Sequence, residues 1–323
     1  IQSTSQIVSG ANYVYMAIRR GPLAAPTDAT DVFSTQLQNA GGTYTKTTGF
    51  VADMILQASR DTVLVKRPYD RLRGGSKYLE TSSTSAEASG GTMEFDNNTG
   101  YTGVTSLNTV DWIWKRARGY FDIVAYTGNG ATSNSVAHNL GVVPEMMWIR
   151  RRDAVEAWQV PVLITSSGYR NMRLDTTYEG QAISSYTDYT GLKSQPTSTN
   201  FVLGQNSQTN VSDGTFIAYL FVTAAGVSKF GSFTQSGATN VDCGFTGDTP
   251  SFIIIKRTDA AGDWYIFDSE RGIVAGNDPY LELNSTDAEV TNTDIVDPYS
   301  GGFATTSSLT NGDYIFYAIA ATS

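Results

Sequence analysis

The chain has 323 residues, a net charge of −9 and a pI near 4.6, with 31 glycines, 18 tyrosines, 14 phenylalanines and charged residues at 16%. Such acidity leaves no Lys/Arg-rich face to neutralise phosphates, which argues against nucleic acid as a partner. One cysteine, Cys243, rules out an internal disulfide framework, and no apolar run of membrane-spanning length occurs, so no membrane insertion is expected. Abundant Gly, Thr, Ser and Asn with many aromatics is an all-β composition.

In chain order, Tyr13 to Ile18 alternates as a strand and is stopped by Gly21-Pro22. Its counterparts are Trp112 to Ala117, Phe216 to Phe221 and Tyr314 to Ile319, each of which closes a segment. Residues 1–26 therefore read as the closing strand of an upstream domain plus a linker, and the chain as the C-terminal part of a longer polypeptide. Tyr13, Tyr15, Met16 and Ile18 form a candidate inter-subunit or inter-domain strand, because a strand apolar on both faces demands a partner.

Residues 27–118 place strands at Asp31 to Gln36, Met54 to Gln57, Val63 to Arg67, Lys77 to Glu80 and Trp112 to Ala117, with a polar loop from Thr81 to Asn98. The basic stretch Arg67 to Lys77 reads as a solvated loop, with an anion site as the weaker alternative. Trp112 and Trp114 point the same way along one strand, as residues packing between domains do.

Residues 119–225 open on Tyr120 to Gly130 and contain a hairpin, Pro144 to Trp158. Residues 226–323 open on Val227 to Gly237 and contain its twin: Pro250, an apolar run Phe252 to Ile255, then Lys256-Arg257, a polar turn and Trp264 to Phe267. A run apolar on both faces and too short for a helix is a covered central strand, and proline suits its first residue. A gap-free shift lays Gly141 on Gly247, Pro144 on Pro250, Arg151 on Arg257, Asp153 on Asp259 and Trp158 on Trp264. A second shift lays Gly49 on Gly141, Met54 on Met146 and Asp61 on Asp153, with Ala52 in place of proline. Asp278 to Asp294 matches Lys77 to Glu87, with Leu281 and Leu79 facing inward and a helical turn at Thr286 to Glu289. The expected fold is all-β: three tandem β-sandwich, jelly-roll-like repeats joined by short linkers and stacked into an elongated rod.

Chemistry is sparse. His138, the sole histidine, sits before the Asn139 to Pro144 turn and reads as a side chain bonded to turn backbone; it cannot supply a Ser-His-Asp triad in each repeat. Zinc needs several His or Cys and is set aside, and no cofactor is expected. Glycosidases need two carboxylates about 5–10 Å apart. Asp259 with Asp263, Glu282 with Glu289, and Asp294 with Asp297 are candidates, but all lie in polar turns where Asp closes Asx-turns. Calcium on the same oxygens lacks a DxDxDG-type loop. Trp148, Tyr169, Tyr178 and Tyr265 are candidate glycan or receptor contacts, offering flat apolar faces to sugar rings; Trp158 and Trp264 recur at one position and read as core anchors.

Four stretches carry a resemblance: GYFDIVAYTGNG (119–130), AHNLGVVPEMMWIRRRD (137–153), AYLFVTAAGVSKFGSFT (218–234), and the stretch from Phe252 to Glu289. They resemble a family of uncharacterised β-rich domains in tail and other virion proteins of marine and cyanobacterial double-stranded DNA phages, in which an HxLGxxP turn precedes an apolar strand and a Lys-Arg pair. The likeness runs from about Asn12 to Ala320 and is weaker in the first repeat, where Ala52 departs from the proline. It implies a virion surface component and carries over no catalytic residue. The expectation is a non-enzymatic structural and adhesive protein, a tail fibre or tail tip. Its partners would be other virion proteins, a host surface glycan or protein receptor, and further copies of itself, a trimer by analogy. A capsid decoration protein, a polysaccharide depolymerase and a non-viral filament subunit are the alternatives.

Overall fold

The structure, a computed structural model, describes residues 23–165, 168–183, 191–247 and 249–321; the strand expected at Tyr13, Tyr15, Met16 and Ile18 lies outside them. The protein is all-β, and the helical element among the described residues is one 3-10 turn, Ala29–Asp31. No helix among them is long and apolar enough to cross a membrane.

Three larger antiparallel sheets share one strand order. In the first unit, Phe33–Gln38 pairs with Thr109–Trp114, which pairs with Met54–Ser59 and then Arg67–Asp70. The second unit repeats this order with Phe121–Thr127, Thr215–Phe221, Met146–Arg151 and Val160–Thr165, and adds Gly168–Met172 and Gln181–Ala182 at the edge. The third has Ser228–Gln235, Gly312–Ile319, Phe252–Arg257, Trp264–Asp268 and Leu281–Glu282. Met54, Met146 and Phe252 hold one register position, opposite Trp114, Phe221 and Ile319 of the adjacent closing strands. The turns before them use Gly49, Gly141 and Gly247 at φ of 80°, 79° and 92°, a conformation that costs a residue with a Cβ.

A smaller sheet lies with each: Gly42–Thr47 with Gly100–Thr105; Asn134–Ala137 with Asn200–Leu203; and Thr239–Asp242, Gly302–Thr305 and Val296–Tyr299. Side-chain alternation along a strand then separates two cores. In the first unit Ile55 and Ile113 pack with Tyr44 and Tyr101 of the small sheet, and in the second Met147, Ile149 and Leu220 pack with Val136, Phe201 and Leu203. The opposite faces, including Met54, Leu56, Trp112, Trp114, Trp148, Tyr219, Phe221, Phe252, Ile254 and Tyr317, join one core common to all three units. Both faces of the central strands are therefore covered, as their apolar runs require.

The expected rod is corrected by the contacts between units, which are lateral and close a ring. Leu64 N donates to Thr286 O of the third unit (2.7 Å), Glu156 N to Thr84 O of the first (3.0 Å), and Gly262 N to Thr177 O of the second (3.0 Å). In an end-to-end stack the first and last units would be kept apart; here they are directly bonded. The same seams explain two departures from the expected elements. Leu64 spends its N–H on the third unit, so the return strand begins at Arg67 rather than Val63. The helical turn at Thr286 to Glu289 does not form, because Glu289 N donates to Arg60 O and Ser285 O accepts from Lys66 Nζ, groups that a helix would have bonded locally.

Candidate functional site

Each seam is built from equivalent positions. The indole Nε1 of Trp158 donates to Glu80 O and that of Trp264 to Arg173 O, both at 2.8 Å across a seam. The aligned position in the first unit is Lys66, whose Nζ donates to Ser285 O and Asp287 O at 2.9 and 2.7 Å. Arg150 and Lys256, on the central strands, serve the other seams, with Lys256 directly opposite Trp264 in register: Arg150 Nη2 donates to Ser85 O at 2.6 Å, and Lys256 Nζ to Thr177 O at 2.9 Å and to Gly262 O. All three cations are 0% exposed. Each lysine ammonium meets two carbonyl oxygens, which offsets the cost of its burial, and Arg150 spends Nη2 on one carbonyl; burial pushes the Lys66 and Lys256 amines down to about 8. The second basic residue of each pair stays local, Arg151 on Asp153 (3.0 Å) and Arg257 on Asp259 (2.7 Å).

Beneath two seams lie buried ion pairs. Arg73 is paired with Asp70, which also accepts from Tyr219 Oη of the second unit at 2.7 Å; Arg271 is paired with Asp268 at 2.6 Å, which accepts from Trp112 Nε1 of the first unit at 2.9 Å. Val162 occupies the same register position in the second unit, opposite Met146. The basic stretch from Arg67 is thus no solvated loop: Arg73 is buried, Arg71 donates to Ala52 O, and Arg67 lies over the Tyr78 ring at 4.3 Å.

Among the described residues the third seam lacks such an ion pair, and it differs from the others in its docking loop as well. Its docking loop carries Ala261-Gly262 where the other two carry Val63-Leu64 and Val155-Glu156. Beside it lies a cleft of about 630 Å³. Gln159, Asn171 and Gln181 line it from the second unit's sheet, Arg173 and Thr176 to Glu179 from the following loop, Gln208 from a further loop, and Ala261 from the third unit. Gln159 is 2% exposed, accepts from Asn171 Nδ2 at 2.7 Å, and leaves its own Nε2 and the Asn171 Oδ1 without partners among the described residues. Tyr178 stands at the surface, 37% exposed.

Of the aromatic residues singled out in the sequence, only Tyr178 lines this cleft. Trp148 is fully buried against Phe221, ring centroids 4.9 Å apart, and leaves no face for a sugar. Tyr169 is buried with its hydroxyl on Pro144 O. Tyr265 is half-buried in an edge-to-face pair with Tyr280 at 5.2 Å. Trp112 and Trp114 lie in the common core, where Trp114 meets Phe221 of the second unit and Phe252 of the third. The His138 ring is buried, with Nδ1 accepting from Leu140 N and Nε2 on Thr197 O at 3.1 Å; burial lowers its pKa.

Three of the carboxylate candidates are likewise committed. Glu289 pairs with Arg271 and Arg60, Asp259 with Arg257, and Asp263 accepts from Asn284. Among the described residues no group of His, Cys, Asp or Glu is arranged to hold a metal ion. Gln159, Asn171 and Ala261 escaped the sequence reading, although the loss of bulk at Ala261-Gly262 is visible once the three loops are aligned.

These features define an all-β protein whose described residues form three interlocked sheet units, with a cleft at the seam between the second and third. The chain belongs to the family described as a domain of unknown function, DUF7483, which matches residues 28–322. No curated protein and no solved structure matches it.

Proposed function

We propose that this chain is a non-enzymatic structural and adhesive component of a bacteriophage virion, a tail fibre or tail-tip protein that contributes to host attachment. We read its three units as copies of one ancestral sandwich. The observation that carries the proposal is the closed ring: three seams, each with a buried cation seated on carbonyl oxygen of the next unit, make one interlocked block. A block of this kind suits presenting a contact surface under load, and the sequence resemblance supplies the virion setting. Other virion proteins and further copies of the chain are its proposed partners there, with a glycan or protein receptor on the host.

Antibodies against the purified chain test this on intact particles. Gold label at the tail end, together with blocked adsorption to host cells, is the expected result. Label confined to the head would move the chain to capsid decoration, and absence of label on any particle would overturn the virion assignment.

A further inference from the structure

We propose that the cleft at the seam between the second and third units is a saccharide-binding site that takes one or two neutral sugar rings. As the ligand class for the attachment reading it rests on that reading, but the binding itself is a property of the isolated chain. Three independent observations converge on it.

The first is its origin. The three docking loops are laid out alike, with the N–H of Leu64, Glu156 and Gly262 each bonded to the neighbouring unit. Only the third lacks both side chains that would project from the tip, since Ala261 and Gly262 replace a valine and a leucine or glutamate. The opening therefore coincides with a local deletion of bulk in the docking loop. Its volume of about 630 Å³ is that of a small-molecule site.

The second is the chemistry of the floor. Gln159 and Asn171 satisfy each other with one hydrogen bond, which leaves one amide NH2 group and one carbonyl oxygen without partners among the described residues. Exchanging O and N in both amides leaves the same pair, one donor and one acceptor. A buried amide group without a partner costs free energy that a ligand recovers by supplying both complements. A hydroxyl both donates and accepts, and vicinal hydroxyls do so at two adjacent atoms, which is the pattern that a sugar ring presents. Thr176, Thr177, Gln181 and Gln208 extend the same neutral polar lining, and the half-exposed Tyr178 ring supplies an apolar face for sugar C–H groups.

The third is electrostatic. An anionic ligand needs an uncommitted cation, yet the Lys256 ammonium is already seated on Thr177 O and Gly262 O. Arg173 shares the lining with Glu179 and lies near Asp175, whose carboxyl it influences. The cleft thus has charges of both signs and selects against phosphate and acidic sugars.

The test uses the purified 323-residue chain on a microarray of neutral hexose, N-acetylhexosamine, uronic and sialylated oligosaccharides, followed by titration calorimetry with the best neutral binder and with inorganic phosphate. Saturable binding of a neutral glycan is expected, weakened about tenfold by Tyr178→Ala and abolished by Ala261→Trp, which fills the opening. Both positions are exposed, so unchanged melting temperatures would show that the fold is intact. Gln159→Leu should also abolish binding, and if that variant fails to fold, the two surface variants still decide. No binding to any neutral glycan, binding indifferent to Ala261→Trp, or a preference for phosphate or acidic glycans would each overturn the proposal. The virion reading would survive any of these if gold label marks the tail, and sugar binding without label would leave the site standing alone.

Discussion

The indole of Trp112 donates to the Asp268 carboxylate at 2.9 Å, a hydrogen bond that ties the first unit to the third through a charge already held by Arg271. The Arg271 guanidinium also lies over the Trp112 ring at 5.3 Å, so indole, carboxylate and guanidinium form one buried cluster. Removing the carboxylate leaves a cation that is 1% exposed at its side chain with only Glu289 at 3.1 Å and the Ile266 carbonyl as partners among the described residues. Asp268→Ala is expected to cost about 3 kcal/mol in urea unfolding. Trp112→Phe, which loses the charged hydrogen bond but keeps most of the ring, should cost roughly 1.5–3 kcal/mol. Equal, negligible effects from both would show that the cluster contributes nothing to holding the ring closed.

Because one apolar core runs through all three units, they should unfold together. Differential scanning calorimetry is expected to give a single transition with agreeing calorimetric and van't Hoff enthalpies, unusual for a chain of this length. Resolved transitions for separate units would contradict the common core.

Burial and the nearby Asp263 and Asp287 carboxylates push Glu282 up to about 7, with Lys66 opposing them; Tyr265 and Tyr280 are the other titratable groups nearby. Burial also pushes Asp278 up to about 6. A carboxyl whose pKa is higher in the folded chain binds its proton more tightly there, so these groups stabilise the fold at low pH and that contribution is lost as pH rises from about 4 to about 7. Glu282→Gln should therefore show a smaller fall in melting temperature over this window than the parent chain. An identical pH profile for the two would refute the assignment.

Cys243 is buried, and its thiol is pushed up to about 12, chiefly by burial and secondarily by Asp242. Iodoacetamide at neutral pH should leave the native chain unlabelled and label it fully in denaturant, because the thiolate is the nucleophile. Rapid labelling of the native chain, followed by mass spectrometry, would show the site open.

Much of the architecture was legible in the sequence. The apolar run at Phe252 to Ile255 required a strand covered on both faces, the aligned glycines marked the turns, and Leu79 and Leu281 faced inward as their shared position predicts. These are local signals, set by backbone sterics and side-chain period, and they survive in any tertiary context. What the neighbouring units do was not legible. That Lys66 stands in for Trp158 and Trp264 as a seam anchor, that Glu289 bonds Arg60 instead of starting a helical turn, and that Trp148 and Tyr169 bury their rings all depend on how the three sheets meet. The sequence alone determined the all-β class, the covered central strands and the glycine turns before them. Only the tertiary structure decided that the three units close a ring rather than a rod, and that a cleft lies at one seam, because burying three apolar sheet faces in one core is a free energy summed over residues far apart in the chain.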